Sequence, residues 1–345
     1  MDGNTVTVMG TETKKIRKGV TGSTLKLIAI ITMLIDHTAA TILDRTLIAR
    51  GMGNLNNSNP QAALDFMSDN AAIYGVDMIM RLIGRIAFPI FCFLLVEGFV
   101  HTHNKWKYAM RLGIFALISE IPFDLAFKSK LFDFSYQNVF FTLLIGLLVM
   151  MGFEIIREKL GEKKWLPILA IGGSIALGYS VTYLLNRIIQ TINMYLGAAQ
   201  TGMVINLSNV VFLIIGVVSC ILFLLIYGLM IKKESLQKAS IRFADLLVLF
   251  VGMLLAQFLK TDYSAFGVLT IAVVYGLRKS SFKAILGGCI TLTIMNLSEI
   301  TAFVGLIPAA LYNGKRGLNL KYVFYIFYPA HLLILYLICY FMGIV

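Results

Sequence analysis

The chain has 345 residues, of which 58% are hydrophobic and 14% charged, and its formal net charge is +12. This composition excludes an ordinary soluble globule and a disordered chain, and it points to one helical bundle in a bilayer. The Lys and Arg residues fall in short clusters between apolar runs, which excludes a nucleic-acid surface as the first reading and favours positive-inside topology.

In chain order, residues 1–24 are polar, carry Lys14, Lys15, Arg17 and Lys18, and lack a small-residue cleavage site. They are predicted to be a basic cytoplasmic tail. Apolar runs follow at 25–43, 78–100, 108–127, 138–156, 165–186, 208–231, 243–259, 264–278, 282–297, 300–312 and 322–343. Residues 25–345 are therefore expected to form a single all-α polytopic membrane domain of about 10–11 transmembrane helices, with the N-terminus in the cytoplasm. The interval Asn296–Ile300 leaves open two short helices or one broken helix. Basic connections alternate with acidic or neutral ones, so every basic loop is placed on the cytoplasmic side. Residues 181–207 are expected to contain an interfacial amphipathic helix. Cys92, Cys220, Cys289 and Cys339 sit within apolar runs without C-x-x-C spacing, and read as core residues. No metal-ligand set is apparent.

The first run holds three ionisable residues, Lys26, Asp36 and His37. Such groups are expensive in hydrocarbon and are functional by default. A spacing of eleven positions is about three helical turns, which puts Lys26 and His37 on one face, roughly 16 Å apart along the axis. Arg81 and Arg85 are predicted on one face of the second span by their i, i+4 spacing. Glu120 and Asp124 belong to the outer half of the third span. Asp36, His37, Arg85, Glu120 and Asp124 are thus expected at one depth, where pairing is close to obligatory. His37 is the candidate base. Asp36 supports it or pairs with an arginine, and Arg85 either pairs with a carboxylate or steadies a developing oxyanion. At the cytoplasmic surface, Lys26, Lys315 and Arg316 beside the Asn313-Gly314 turn could bind phosphate, although topology alone also explains such charges. His331, shortly after Pro329 in the last run, is either a site residue or a packing one. His101 and His103 lie in a basic loop and read as solvated.

Several strings of the chain resemble the TraX family. They are Leu25-Lys-Leu-Ile with Met33-Leu-Ile-Asp-His37, Arg85-Ile-Ala-Phe-Pro-Ile-Phe, Phe93-Leu-Leu-Val-Glu-Gly-Phe99, Leu117-Ile-Ser-Glu-Ile-Pro-Phe-Asp124 and Gln137-Asn-Val-Phe-Phe-Thr142. Asp262-Tyr-Ser-Ala-Phe-Gly267, Tyr312-Asn-Gly-Lys-Arg-Gly317 and Phe324-Tyr-Ile-Phe-Tyr-Pro-Ala-His331 complete the likeness. The resemblance covers roughly 25–142 and 262–332. It implies kinship with pilin N-acetylases and with the broader membrane acyltransferases that move acetyl groups from cytosolic acetyl-CoA to acceptors beyond the membrane. In those proteins a basic residue eleven positions before a histidine in an early span is a hallmark; here Lys26 and His37 hold those places, with lysine where arginine is usual.

The resemblance implies an acetyltransferase in the bacterial cytoplasmic membrane, with acetyl-CoA as the donor cofactor. Lys26, Asn313, Lys315, Arg316 and His331 would bind it, and His37, Asp36, Arg85 and Glu120 would carry the catalysis. The acceptor would be a peptide, a sugar or a small metabolite, and oligomeric state has no sequence signature. The residues by themselves are also compatible with an ion- or proton-coupled transporter that relays protons through Asp36, His37, Arg85 and Glu120.

Overall fold

The computed structural model describes residues 19–55, 60–198, 203–318 and 321–345. The tail 1–18, with its four basic residues, lies outside the described residues. The fold is all-α, and the described residues contain only two isolated bridge pairs of extended backbone. The helices are α1 (Gly22–Thr38), α2 (Asp44–Ala49), α3 (Pro60–Asp69), α4 (Ala71–Gly84), α5 (Ala87–His101), α6 (Lys105–Lys128) and α7 (Val139–Ile155). They continue with α8 (Leu166–Ala198), α9 (Asn209–Lys233), α10 (Leu236–Phe258), α11 (Ser264–Gly276), α12 (Ser281–Met295), α13 (Leu306–Ala310) and α14 (Lys321–Phe341).

Among the described residues, seven helices are long and apolar enough to cross a membrane: Gly22–Ala49, Ala71–His101, Val139–Leu160, Leu166–Met194, Asn209–Lys233, Leu236–Phe258 and Tyr322–Phe341. Together with α6 and the shorter apolar segments Ser264–Gly276, Ser281–Met295 and Leu297–Ala310, they correspond one for one to the apolar runs of the sequence. The protein is a multi-pass membrane protein.

Two details differ from the sequence reading, and one that it left open, at Asn296, is decided. The second span breaks between α4 and α5. Pro89 lacks an N–H, so the carbonyl four residues earlier, that of Arg85, loses its helical partner. Asn296 separates α12 from a 3₁₀ stretch, Leu297–Gly305, and caps it by accepting from the Ser298 N–H at 3.1 Å. That stretch runs back along α12, since Cys289 Sγ meets Ala302 O at 3.4 Å and Ser281 Oγ meets Ala309 O at 3.2 Å. The 3₁₀ rise of about 2.0 Å per residue lets this short leg return most of the way across a bilayer. Residues 181–198 continue α8 without interruption, so the expected interfacial helix is not a separate element.

The ends of the bundle sort into two faces. At one, α1 begins inside a collar of the 311–318 loop, where Gly22 N donates to Lys315 O at 2.8 Å and Ser23 N to Arg316 O at 2.9 Å. Gly317, at φ +72°, lies where a Cβ would meet Ser23 Oγ at 2.1 Å, so only glycine closes this collar. Lys105 pairs with Glu154 and Arg157 with Asp245 at this basic end. At the opposite end, the buried Arg45 guanidinium donates to Leu125 O (2.9 Å), Ala126 O (2.7 Å) and Ser129 Oγ (2.8 Å), tying α2 to the end of α6. The main core runs between these faces through α1, α5, α6, α7, α11, α12 and α14, around Leu25, Phe93, Phe99, Leu112, Leu147 and Ile271. Helices α8–α10 pack a smaller core around Tyr227 and Phe243, and α9 turns residues such as Leu213, Val217 and Leu225 outward, as a lipid-facing helix does.

Candidate active site

Two cavities enter the main bundle from its two faces. The first, about 540 Å³, opens at the basic end between Lys26, His101, Arg111, Gly314 and Arg316. Deeper in, its walls turn apolar with Ile30, Leu94, Leu95, Leu112, Phe140 and Leu143. Lys26 Nζ stands 5.0 Å from the centre of the Phe324 ring, an attraction that holds the ammonium at the cavity wall. Arg111 lies within the span of α6 and keeps its Nε buried without a hydrogen-bond partner.

The second cavity, about 390 Å³, is lined from the opposite end by Asp36, His37, Asp44, Arg45, Arg81, Arg85, Lys128, Tyr136, Asp262 and Tyr263. Met33, Phe91, Val139 and Tyr328 belong to the walls of both cavities, so the two abut at this shared wall, the neck. Lys26 and His37, on one helix, thus face two chambers on either side of this neck. A π-helical turn, Ala39–Leu43, begins two residues after His37, a widening of the backbone that recurs at functional sites.

In the second cavity Asp36 pairs with an arginine, one of the expected alternatives, while Arg85 pairs with a carboxylate that is not among the expected ones. Arg81 Nη1 meets Asp36 Oδ2 at 2.8 Å, and Arg85 Nη1 meets Glu299 Oε1 at 3.2 Å. The two arginines therefore line the same cavity but take different acids. Glu299, from the 3₁₀ leg, is 1% exposed; the sequence alone does not single it out, because there it reads as a loop acid. Glu120 is not at this chamber wall; it accepts from Asn138 Nδ2, which also donates to Ala116 O at 2.9 Å. Asp124 Oδ2 accepts from Asp133 N at 2.7 Å. In that loop Ser135 donates to Asp133, holding its carboxyl below the usual carboxylate range. Asp36 is thus engaged by Arg81, and His37 has a different partner.

That partner is His331. His37 Nδ1 lies 2.7 Å from His331 Nε2, and His331 Nδ1 lies 2.8 Å from Phe327 O. Phe127 and Tyr328 meet the His37 ring edge-on at 5.5 and 6.0 Å between centroids. His331 stands in this group, away from Lys315 and Arg316. Of the expected phosphate-binding residues, Lys26 and Arg316 line the first cavity. The Lys315 side chain is exposed and outside that lining, and the Asn313 side chain is used within the loop, donating to Gly19 O at 3.1 Å and accepting from Lys315 N at 2.9 Å. The N–H groups of Gly22 and Ser23 are consumed by the collar, so any phosphate there is met by side chains. Arg111, a cation inside an apolar run, is the one signal in the sequence that points to a further member.

A family model described as TraX protein matches residues 21–231 and 217–339, most of the chain. The chain belongs to the TraX family. A protein of Dichelobacter nodosus named probable fimbrial assembly protein FimC is 35% identical over 134 residues, covering 37% of this chain and 44% of that protein. The chain therefore spans less than half the length of that relative. No solved structure matches.

The TraX-like strings are joined to one another in space. Gln137 N donates to Lys260 O at 3.0 Å and Asp262 N to Gln137 O at 2.9 Å. Thr142 donates to Asp262 O, and Tyr136 OH reaches Asp262 Oδ1 at 2.6 Å. This lattice holds Tyr263 and Ser264 in left-handed backbone, at φ 58° and 46°, a conformation costing about 1–3 kcal/mol per non-glycine residue that persists where surroundings enforce it. The Tyr263 ring is thereby laid flat on Phe88, 3.7 Å between centroids, as part of the second chamber of this TraX-family protein.

Proposed function

We propose that this TraX-family protein is a membrane-embedded acetyltransferase that takes acetyl from acetyl-CoA at its basic, cytoplasmic end and delivers it to an amine or hydroxyl entering from the other side. The observation that carries this reading is the pair of opposed cavities that share Met33, Phe91, Val139 and Tyr328 as a common wall, with Lys26 in one and His37 in the other. The first cavity fits a coenzyme A donor in kind. Lys26, Arg111 and Arg316 offer cationic donors to its phosphates at the mouth, and the apolar interior suits its arm. A volume of about 540 Å³ is within the range of ordinary ligand pockets.

His37 acts as the general base. It accepts the proton of the attacking amine or hydroxyl as that group bonds to the thioester carbonyl carbon. It then returns a proton to the departing sulfur as the carbon–sulfur bond breaks. Arg81 and Arg85 offer guanidinium N–H donors to the negative charge that develops on the carbonyl oxygen, while their partners Asp36 and Glu299 keep them in place. The neck, with no charged side chain, excludes water between the two compartments.

The name of the D. nodosus relative, a probable fimbrial assembly protein, supports a subunit of a surface fibre as acceptor and a bacterial cytoplasmic membrane as the location. The reading is tested by following coenzyme A release from acetyl-CoA by the reconstituted protein, with a short peptide amine as acceptor. The wild type should consume acetyl-CoA, and His37→Ala should reduce the rate by roughly 100-fold or more while the protein stays folded. A wild type that neither binds nor consumes acetyl-CoA, but moves protons in a His37-dependent way, would replace this reading with the transporter.

A further inference from the structure

His331 takes no part in the proton transfers to and from substrate, yet its Nε2 meets the His37 ring nitrogen Nδ1 at 2.7 Å. The Phe327 carbonyl can only accept, so His331 Nδ1, 2.8 Å away, must carry a hydrogen. A neutral His331 then offers a lone pair at Nε2. Across the 2.7 Å contact with that atom, His37 Nδ1 must be the donor, which leaves the lone pair of a neutral His37 on Nε2.

The geometry agrees. The two ring planes are 7° apart, with centroids separated by 5.0 Å. That is about the largest separation that a 2.7 Å contact between ring atoms allows, so the nitrogen–nitrogen line runs outward along both planes. The rings are joined edge to edge, not stacked. His331 itself is held firmly: it is 4% exposed, and the Phe327 ring lies parallel to it at 4.6 Å. None of the ion pairs among the described residues involves either histidine, so no carboxylate favours a charged His331.

We propose that His331 is the positioning residue of the site: it fixes His37 in the Nδ1–H tautomer and in one ring orientation, so that Nε2 is the basic atom presented to the acceptor chamber. This rests on the reading of His37 as general base. During transfer, His37 Nε2 takes the acceptor's proton as the new bond to the acyl carbon forms. The resulting imidazolium keeps its Nδ1–H directed at the neutral Nε2 of His331, and the proton on Nε2 passes to the leaving sulfur. His331 ends each cycle as it began. A third group that sets tautomer and aim is a recurring part of nucleophile–base constellations, most often as a carboxylate; here an imidazole backed by a helix carbonyl takes that place.

The test is nitrogen NMR of the full-length protein in lipid nanodiscs with ¹⁵N-labelled histidine. The chain has 4 histidines, and His37→Ala assigns the signal of interest. In the wild type, His37 should show a protonated Nδ1 and a bare Nε2; the opposite tautomer in folded wild type overturns the proposal without any His331 variant. His331→Leu should remove the Nδ1–H preference and lower kcat by roughly 100-fold, with KM for acetyl-CoA changed less than about twofold. His331→Gln, whose amide oxygen can accept from His37, should keep the tautomer and recover at least about tenfold of that loss. A His331→Leu protein with an unchanged His37 tautomer, or one in which KM rises and kcat stands, contradicts the proposal. If His37→Ala retains full activity while the wild-type tautomer is as stated, the general-base reading fails and the structural assignment of His331 stands.

Discussion

Gly84 and Asp36 pack so closely that a Cβ built on Gly84 would stand 2.2 Å from the Asp36 Cβ and 2.5 Å from its Oδ1. The glycine ends α4 just before the chain breaks and turns into α5, and its missing side chain is what lets α1 bring Asp36 to Arg81. Gly84→Ala should therefore overpack this contact, costing about 1–3 kcal/mol and displacing Asp36 from Arg81. A methyl group added at Gly75, in the same helix, would meet nothing within 4 Å, so Gly75→Ala should be neutral or mildly stabilising. Thermal melting of the two variants checks the contrast; equal melting points would show that the close contact does not matter.

Of the two ion pairs that α4 makes beside the chamber, Arg85 with Glu299 is more buried than Arg81 with Asp36. Removing one member strands the other, so Glu299→Ala should cost about 3 kcal/mol or more. The double variant Arg85→Ala with Glu299→Ala should recover a substantial part of that loss. A double-mutant cycle in denaturant or heat provides the coupling; strictly additive losses would show that the pair contributes nothing.

The cations at the mouth of the first cavity should act on donor affinity. Lys26→Ala, Arg111→Ala and Arg316→Ala are each expected to raise KM for acetyl-CoA by several-fold, with a smaller fall in kcat and a dependence on ionic strength. Lys315→Ala removes an exposed charge outside the lining, and should change KM by less than about twofold. Initial rates across donor concentrations separate these outcomes. If Lys315 weighed as heavily as Lys26, the donor would lie against the loop and not in the cavity.

The neck makes a different demand. Val139→Phe enlarges one of its four walls without adding charge, so kcat should fall while coenzyme A binding at the mouth is retained. Calorimetry with coenzyme A alongside turnover tests this, and a loss of binding equal to the loss of rate would place the donor's phosphates at the neck.

Much of the frame is legible in the sequence. The apolar runs become the helices, because hydrocarbon leaves the backbone few alternatives, and the Lys26–His37 spacing survives as two chambers on one helix. What is not legible is tertiary pairing. Arg81 and Arg85 have ideal i, i+4 spacing, but Pro89 unseats the Arg85 carbonyl and the two side chains take different acids. The signal is present in Arg85-Ile-Ala-Phe-Pro, yet the run is apolar enough to read as one helix. His331 lies 294 residues from His37, and no local pattern announces a contact at that distance. Glu120 reads as a chamber acid by depth alone; the side that a helix turns toward its neighbours, which puts Glu120 on Asn138, is set by packing and not by depth.

The most direct test of vectorial transfer is a sided vesicle experiment. Acetyl-CoA with a labelled acetyl group is sealed inside proteoliposomes whose proteins have their basic end inward, and a membrane-impermeant peptide amine is supplied outside. Labelled acetyl should appear on the outer peptide and free coenzyme A inside, both lost in His37→Ala. Transfer that occurs only when donor and peptide share one side of the membrane would contradict transfer through the neck.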